Sequence, residues 1–204
     1  LRVPHRPDET RRTVDLGHSS HGPSWIDLAE IRVNTTESRF AACLNRLLQQ
    51  NLPVAEIAAP TAHLYLWCPN ALLPEGIQVM KAWGFQYKSN IVWHKIRKDG
   101  GSDGRGVGFY FRNVTELILF GVRGKNARTL QPGRTQVNYI SSRKREHSRK
   151  PDEQYEVIES CSPGPYLELF SRGVRKKWAV WGNEAHNEYR PTWDTYANHS
   201  QAAE

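Results

Sequence analysis

The sequence predicts an α/β fold built on a mainly parallel sheet. Three observations predict it: short apolar runs alternate with helical patterns, the runs are apolar on both faces as in buried parallel strands, and polar residues follow several runs directly. The carboxyl ends of parallel strands meet at one edge of such a sheet, and ligands bind there. We therefore expect the polar residues to form a site at that edge.

Residues 63–122 carry the signals of the first half of the predicted sheet. His63–Trp67 is a continuous apolar run and predicts a buried strand. Leu72–Trp83 predicts a helix, which Gly84 is placed to end. Two more strands, separated by a glycine-rich loop at 100–108, are predicted at Tyr87–Lys95 and Thr115–Val122.

The second half continues the alternation. Pro151 suits the first turn of a helix, Asp152 and Glu153 suit the positive end of its dipole, and Pro163-Gly164 ends it. The remaining strands are predicted at Val137–Ser142, Tyr166–Phe170 and Trp178–Trp181.

The character of the chain changes near residue 52, which predicts three parts. Residues 1–51 form an atypical, partly disordered N-terminal segment, because Arg, His, Pro, Ser and Thr predominate and apolar periodicity is scarce. The exception is Phe40–Leu48, whose apolar spacing predicts a short amphipathic helix. Residues 52–185 form the main domain, and residues 186–204 form a tail. The 204 residues suffice for one packed domain with additional arms.

The positive charge of the chain is concentrated in its middle. The net charge is +7, but residues 95–150 contain 14 Lys/Arg against four Asp/Glu. Such a cationic region suits a phosphate-rich partner, because binding releases counterions from a nucleic acid. The alternative is a solvated basic surface.

The sequence argues against a membrane protein, a secreted protein and a metal-binding protein. No apolar run approaches the ~20 residues of a membrane span, and no charged segment with an apolar stretch opens the chain as in a secretory signal. Three widely spaced cysteines imply neither a disulfide framework nor a zinc site, and the eight histidines show no metal-ligand spacing. We expect a cytoplasmic protein without a metal.

Four residues stand out in the predicted sheet, and each has a simpler interpretation. Lys150 precedes a helix and could hold a carboxylate or phosphate, or it could be a solvated lysine. Glu168 lies inside an apolar strand, so its carboxylate needs a partner such as Arg172 or a ligand. Trp93, at the end of a strand, could stack on a base or could simply belong to the core. Asn183 follows another strand and could bind a ribose or cap a turn.

The succession of motifs resembles the MT-A70 family of adenine-N6 methyltransferases, in particular its bacterial and phage DNA-modifying branch. The resemblance covers residues 52–185. The motifs that carry it are His63-Leu64-Tyr65-Leu66-Trp67, Trp83-Gly84-Phe85, Ile91-Val92-Trp93-His94-Lys95, Glu116-Leu117-Ile118-Leu119-Phe120-Gly121-Val122-Arg123-Gly124, His147-Ser148-Arg149-Lys150-Pro151-Asp152-Glu153, Ser162-Pro163-Gly164, Leu167-Glu168-Leu169-Phe170 and Trp181-Gly182-Asn183.

The resemblance implies a Rossmann-like methyltransferase fold that uses S-adenosylmethionine. By that similarity, Lys150 would bind the methionine carboxylate, and Glu168 would support the site. The remaining cofactor-binding residues would be Arg172 and Asn183 at the ribose and Glu184 at the adenine end. Candidates for binding the nucleic-acid substrate are Trp93, Lys95, Arg143, Arg145 and His147.

The chain departs from the family at the catalytic motif. Members carry Asp-Pro-Pro-Trp or a related sequence after an apolar strand, and this chain contains none. In the motif, the carboxylate and a proline carbonyl accept the N–H groups of the adenine amine and aim its lone pair at the methyl group. The nearest candidate is Gly22-Pro23-Ser24-Trp25, so Pro23 and Trp25 are the catalytic candidates, although Gly22 replaces the carboxylate.

The function predicted for this chain is therefore adenine-N6 methylation of DNA at a flipped base, with nucleic acid as partner and a homodimer or heterodimer as the assembly. Two alternatives stay open. One is a catalytically silent relative that binds nucleic acid beside an active methyltransferase. The other is a damaged gene product, in which residues 1–50 are translated in a wrong frame; Asp-Pro-Pro-Trp should then occur in another frame of the coding DNA.

Overall fold

The computed structural model describes residues 52–104, 110–144, 149–182 and 185–187, together with the backbone of residues 25–28. Its strands are β1 (Trp25–Leu28), β2 (Ala62–Cys68), β3 (Gln86–Ile96), β4 (Thr115–Arg123), β5 (Tyr139–Arg143), β6 (Tyr166–Leu169) and β7 (Trp178–Trp181). Its α-helices are α1 (Val54–Ile57), α2 (Leu73–Ala82) and α3 (Glu153–Cys161), and short 3₁₀ turns lie at Asn70–Leu72 and Pro132–Thr135.

The strands form one sheet in the order β5-β3-β4-β2-β1-β6-β7. The pairs β3–β5, β1–β2, β1–β6 and β6–β7 are parallel, whereas β4 runs antiparallel to both β2 and β3. Six strands therefore point in one direction, and only β4 in the described sheet points in the other. The predicted α/β fold with a mostly parallel, Rossmann-like sheet is confirmed.

The core lies on both faces of the sheet. All seven residues of β2 are buried, as expected for a central strand covered on both sides. Leu64 and Leu66 face the buried residues Val79 and Met80 of α2. On the other face, a second apolar cluster joins β2 to α3 through Tyr65, Trp67, Val157, Ile158 and Cys161.

The predicted elements agree with the observed ones to within two residues. The predicted helix 72–83 is observed as α2, and Gly84 follows it with φ +80°. The strand predicted from Val137 begins instead at Tyr139: Val137 is exposed, and Asn138 contacts β3 through its carbonyl and its side-chain amide without belonging to the strand. None of the helices in the described ranges is long and apolar enough to span a membrane.

The main addition to the predicted sheet is β1. It lies in the segment for which the sequence predicts no strand, yet it pairs with β2 on one side and β6 on the other. The predicted helix at Phe40–Leu48 falls outside the described residues, as does almost all of the predicted tail. The sheet therefore extends beyond the predicted domain boundary at residue 52.

Candidate functional site

One edge of the sheet collects charged and aromatic side chains. The strands β2, β3 and β6 end at this edge, and the antiparallel β4 begins there. Consequently Lys95, Glu116 and Glu168, which are far apart in sequence, lie at the same end of their strands. We call this end the carboxyl edge. It is the end at which α/β sheets bind ligands.

Glu116 lies between two lysines at the carboxyl edge. The Nζ atoms of Lys95 and Lys150 donate to its two carboxylate oxygens, Oε1 and Oε2 respectively. Burial alone would raise the pKa of Glu116, but the ammonium groups of Lys150 and Lys95 hold that pKa at about 2. Two ammonium groups face one carboxylate, so the cluster keeps a net positive charge and favours an anionic ligand.

Two tryptophans form the apolar wall of this cluster. The rings of Trp67 and Trp93 meet edge to face at 5.8 Å. The Nζ of Lys150 lies 4.8 Å from the Trp67 ring, and the Nζ of Lys95 lies 5.1 Å from the Trp93 ring. Cation–π attraction adds to the ion pairs in fixing both lysines.

Both indole N–H groups of the wall have buried partners. Trp67 Nε1 donates to Gln154 Oε1 at 2.7 Å, and Trp93 Nε1 donates to Ser142 Oγ at 3.0 Å. Trp93 is only 3% exposed, so it is held inside the cluster. Its predicted contact with a base stays a prediction.

Glu168 is a second buried carboxylate, at the end of β6. Tyr155 donates to both its oxygens, at 3.0 and 3.2 Å, and Ser171 Oγ donates to Oε2 at 2.9 Å. Burial raises the pKa of Glu168 in spite of these hydrogen bonds. The partners in the structure are thus Tyr155 and Ser171, where the sequence suggested Arg172 or a ligand.

The loop that follows Glu168 contacts the first turn of α3. The Arg175 guanidinium lies 3.6 Å from the centre of the Tyr155 ring, and it approaches Asp152, just ahead of α3, at 3.7 Å. Asp152 also pairs with Arg149 at 3.5 Å. The loop after β6 and the start of α3 are therefore tied together next to Lys150.

The ends of β6 and β7 meet tightly. Ser171 N donates to Trp181 O at 3.0 Å, and Phe170 turns the chain with a left-handed φ of +64°. A Cβ at Gly182 would lie 2.6 Å from Ser171 O, so only glycine fits there without a shift. This contact brings the chain preceding residues 183 and 184 next to Glu168.

The structure brings together only some of the predicted site residues. Lys95, Lys150, Trp93 and Glu168 lie at the carboxyl edge, Arg143 ends β5 opposite Ile96, and Arg172 lies in the turn after β6. Five candidates fall outside the described residues: Pro23, Arg145, His147, Asn183 and Glu184.

Trp25 is placed away from the others. It opens β1 opposite His63 and Tyr166, at the amino end of their strands, whereas Leu28 is the residue of β1 nearest the carboxyl edge. Three strand residues span about 10 Å. The catalytic role of Trp25 stays a prediction, and this position does not favour it.

Sequence reasoning assigned no role to Glu116, Trp67, Gln154 or Tyr155. Glu116 carried the same signal as Glu168, a carboxylate in an otherwise apolar strand, and could have been found by it. The others could not, because Trp67 and Gln154 are 87 residues apart and no local pattern reports their contact.

Comparisons with known proteins find a family and several relatives. The MT-A70 family model matches residues 23–184, which include β1 and all the described elements of the site. The human "N(6)-adenosine-methyltransferase catalytic subunit METTL3" is 30% identical over 138 residues, 66% of this chain and 23% of that protein.

Other similar proteins come from different organisms. The Drosophila melanogaster "N(6)-adenosine-methyltransferase non-catalytic subunit METTL14" is 31% identical over 149 residues, 67% of this chain and 38% of that protein. The "Type II methyltransferase M.MunI" of Mycoplasma sp is 27% identical over 157 residues, 76% of this chain and 64% of that protein. This chain thus spans less than a quarter of the human relative's length. It belongs to the MT-A70 family of adenine-N6 methyltransferases.

Proposed function

We propose that this chain binds S-adenosylmethionine at the carboxyl edge and transfers its methyl group to the N6 amine of an adenine in DNA. The observation that carries the proposal is the cluster of Lys95, Glu116 and Lys150 against Trp67 and Trp93. It combines net positive charge with an aromatic wall, at the edge where α/β sheets bind ligands.

The residues of the site suit the chemical groups of the cofactor. Lys150 has three ammonium donors and gives one to Glu116, so it can also hold the methionine carboxylate. Glu168 stiffens the turn that leads to Arg172, the residue expected at the ribose. When bound, S-adenosylmethionine supplies an electrophilic methyl group.

The adenine needs a group that accepts its amine N–H bonds, because the amine is otherwise a poor nucleophile. Glu116 is engaged by two lysines and is a poor candidate for this role. β1 lies between β2 and β6 and ends at Leu28, toward the carboxyl edge. The candidate acceptors are therefore the carboxylates of Asp27, in β1, and of Glu30, two residues after β1.

Charge supports a nucleic-acid substrate, and the choice of DNA rests on the resemblance to DNA-modifying members. The cationic region 95–150 suits any phosphate backbone, and it includes Lys95 and Lys150 themselves. An extruded adenine would meet the cluster at the carboxyl edge, since enzymes that act on a base must take it out of the stack.

A methyl-transfer assay tests the proposal. Labelled S-adenosylmethionine is incubated with duplex DNA, single-stranded DNA and single-stranded RNA of the same sequence, and the product nucleoside is identified by mass spectrometry. We expect N6-methyladenine in DNA, reduced at least tenfold by Glu30→Gln or Asp27→Asn, whichever carboxylate accepts the amine. Product in RNA alone would contradict the DNA assignment.

Calorimetry separates cofactor binding from methyl transfer. Lys150→Ala and Asn183→Ala should each weaken S-adenosylmethionine binding roughly tenfold, the effect of losing one charge-assisted or ribose hydrogen bond. Lys176→Ala, at an exposed lysine, is the matched control. Unchanged affinity in both site variants would refute the cofactor assignment.

A second function is favoured by one specific observation. The sequence has no Asp-Pro-Pro-Trp, and one relative is named as a non-catalytic subunit. A silent subunit would bind nucleic acid without methylating it. Binding of DNA with no methylated product, in the presence of bound cofactor, would support this function over the first.

A further inference from the structure

Two neighbouring aromatic side chains are almost fully exposed. Tyr110 is 89% and Phe111 is 88% exposed, and the next most exposed large apolar side chain in the described ranges is Val137, at 65%. Isolated apolar residues on a surface are common, but two adjacent aromatic rings held in water are costly. Their exposure points to a ligand that covers them.

The pair lies in a connection that begins and ends at the carboxyl edge. It belongs to the connection from β3 to β4, whose base is fixed by Lys95 N donating to Val114 O at 2.8 Å and by Asn70 Nδ2 donating to Thr115 O at 3.2 Å. Phe111 comes five residues before Glu116. Five residues span at most about 17 Å, the length of about five stacked bases.

The same connection is cationic. Arg112 follows the aromatic pair, and Lys98 lies on the other limb of the connection. Arg112 Nη1 reaches Gly104 O at 3.4 Å, and among the described residues no carboxylate forms an ion pair with either cation. Charge complementarity therefore indicates a polyanion with flat apolar groups, which is the chemistry of a nucleic-acid strand.

We propose that Tyr110 and Phe111 form a stacking platform for bases of the DNA strand that flank the target adenine, with Arg112 and Lys98 contacting the phosphates. This inference rests on the proposed function. Every base has a π face, so the platform would hold the strand without reading its sequence. It would favour single-stranded or locally opened DNA, in which flanking bases are free to stack.

Binding of a labelled single-stranded oligonucleotide, measured by fluorescence anisotropy, tests the platform. The double variant Tyr110→Ala/Phe111→Ala should bind roughly tenfold more weakly than the wild type. Tyr110→Phe/Phe111→Tyr keeps both rings and should bind as the wild type does. Val174→Ala, at another exposed apolar residue, is the control for loss of apolar surface.

A second oligonucleotide, with abasic sites in place of the flanking nucleotides, distinguishes stacking from a structural effect. Its phosphates are unchanged, so the wild type and the alanine double variant should bind it equally. Equal affinity of these two proteins for the unmodified strand would overturn the platform. So would an equal loss on both strands, which would indicate a damaged fold.

Two further results would contradict the proposals. Dimerisation through the aromatic pair would contradict the platform, and a complete lack of nucleic-acid binding would contradict the proposed function. A wild-type chain that is dimeric in light scattering, with a monomeric alanine double variant, would make the pair a contact between copies and overturn the platform. A wild-type chain that binds neither DNA nor RNA would contradict the proposed function itself, whereas binding that is unaffected by the double variant contradicts the platform alone.

Discussion

Glu116 decides, at the scale of the single residue, whether two lysines can lie side by side at the carboxyl edge. Without its carboxylate, Lys95 and Lys150 would repel each other in a poorly solvated place. Burial already lowers the pKa of Lys95, and the Glu116 carboxylate opposes that shift. The two lysines therefore depend on the Glu116 carboxylate to stay charged and close together.

Glu116→Gln should destabilise the fold at neutral pH. The pKa of Glu116 falls from 4.5 to about 2 on folding, which corresponds to about 3 kcal/mol. That contribution is present above pH 4.5 and is lost as the pH falls toward 2, so wild type and variant should converge in acid. Urea unfolding at several pH values measures this. Glu156→Gln, at an exposed glutamate of α3, controls for loss of charge.

Equal stability of the wild type and Glu116→Gln at pH 7 would show that the two lysines are not held by this carboxylate.

The sequence identified Lys150 and Glu168 because a cation before a helix and a carboxylate in a strand are local signals. It could not identify Tyr155 and Ser171 as the partners of Glu168, because those contacts depend on packing between α3 and β6.

At the scale of the element, six of the seven described strands could be predicted from the sequence, and β1 could not. β2, β4 and β6 are apolar runs with turn signals on either side. β1 has only four residues, Trp-Ile-Asp-Leu, in a polar segment. Its assignment depends on parallel pairing with β2 and β6, whose sequence positions are distant.

Gly182, at the junction of β6 and β7, has no room for a side chain. Gly182→Ala should destabilise the fold by about 1–3 kcal/mol, because its Cβ would overlap the backbone of Ser171 and Phe170. Gly104→Ala is the matched control, since its Cβ would meet Arg112 and Val114 at an ordinary 3.9 Å. Chemical denaturation compares the two, and an equal effect would contradict the close approach at Gly182.

At the scale of the whole molecule, His63 joins three parts of the fold. Its Nε2 donates to Ala127 O at 3.1 Å, so in the neutral ring Nδ1 accepts from Ser162 Oγ at 2.8 Å. Tyr65 lies 2.7 Å from the same Ser162 oxygen. The network thus connects β2, the loop after β4 and the end of α3.

His63 should make the stability of the wild type fall in mild acid. Burial lowers its pKa from 6.5 to about 4, although the bond to Ala127 opposes this. Between these values the unfolded chain takes up a proton that the folded chain refuses, so about 3 kcal/mol should be lost as the pH falls. His63→Gln should flatten this slope in urea unfolding. A slope that His63→Gln leaves unchanged would contradict the assignment to His63.

The central position of β1 sets the order in which the fold can be completed during synthesis. β1 is made first, yet its partner Tyr166 in β6 follows Trp25 by 141 residues. In the described sheet, β6 and β7 reach the other strands only through β1. Such long-range pairing raises the contact order and slows folding. While the ribosome adds the intervening residues, β1 has an unpaired edge, which is a place where nascent chains can associate wrongly.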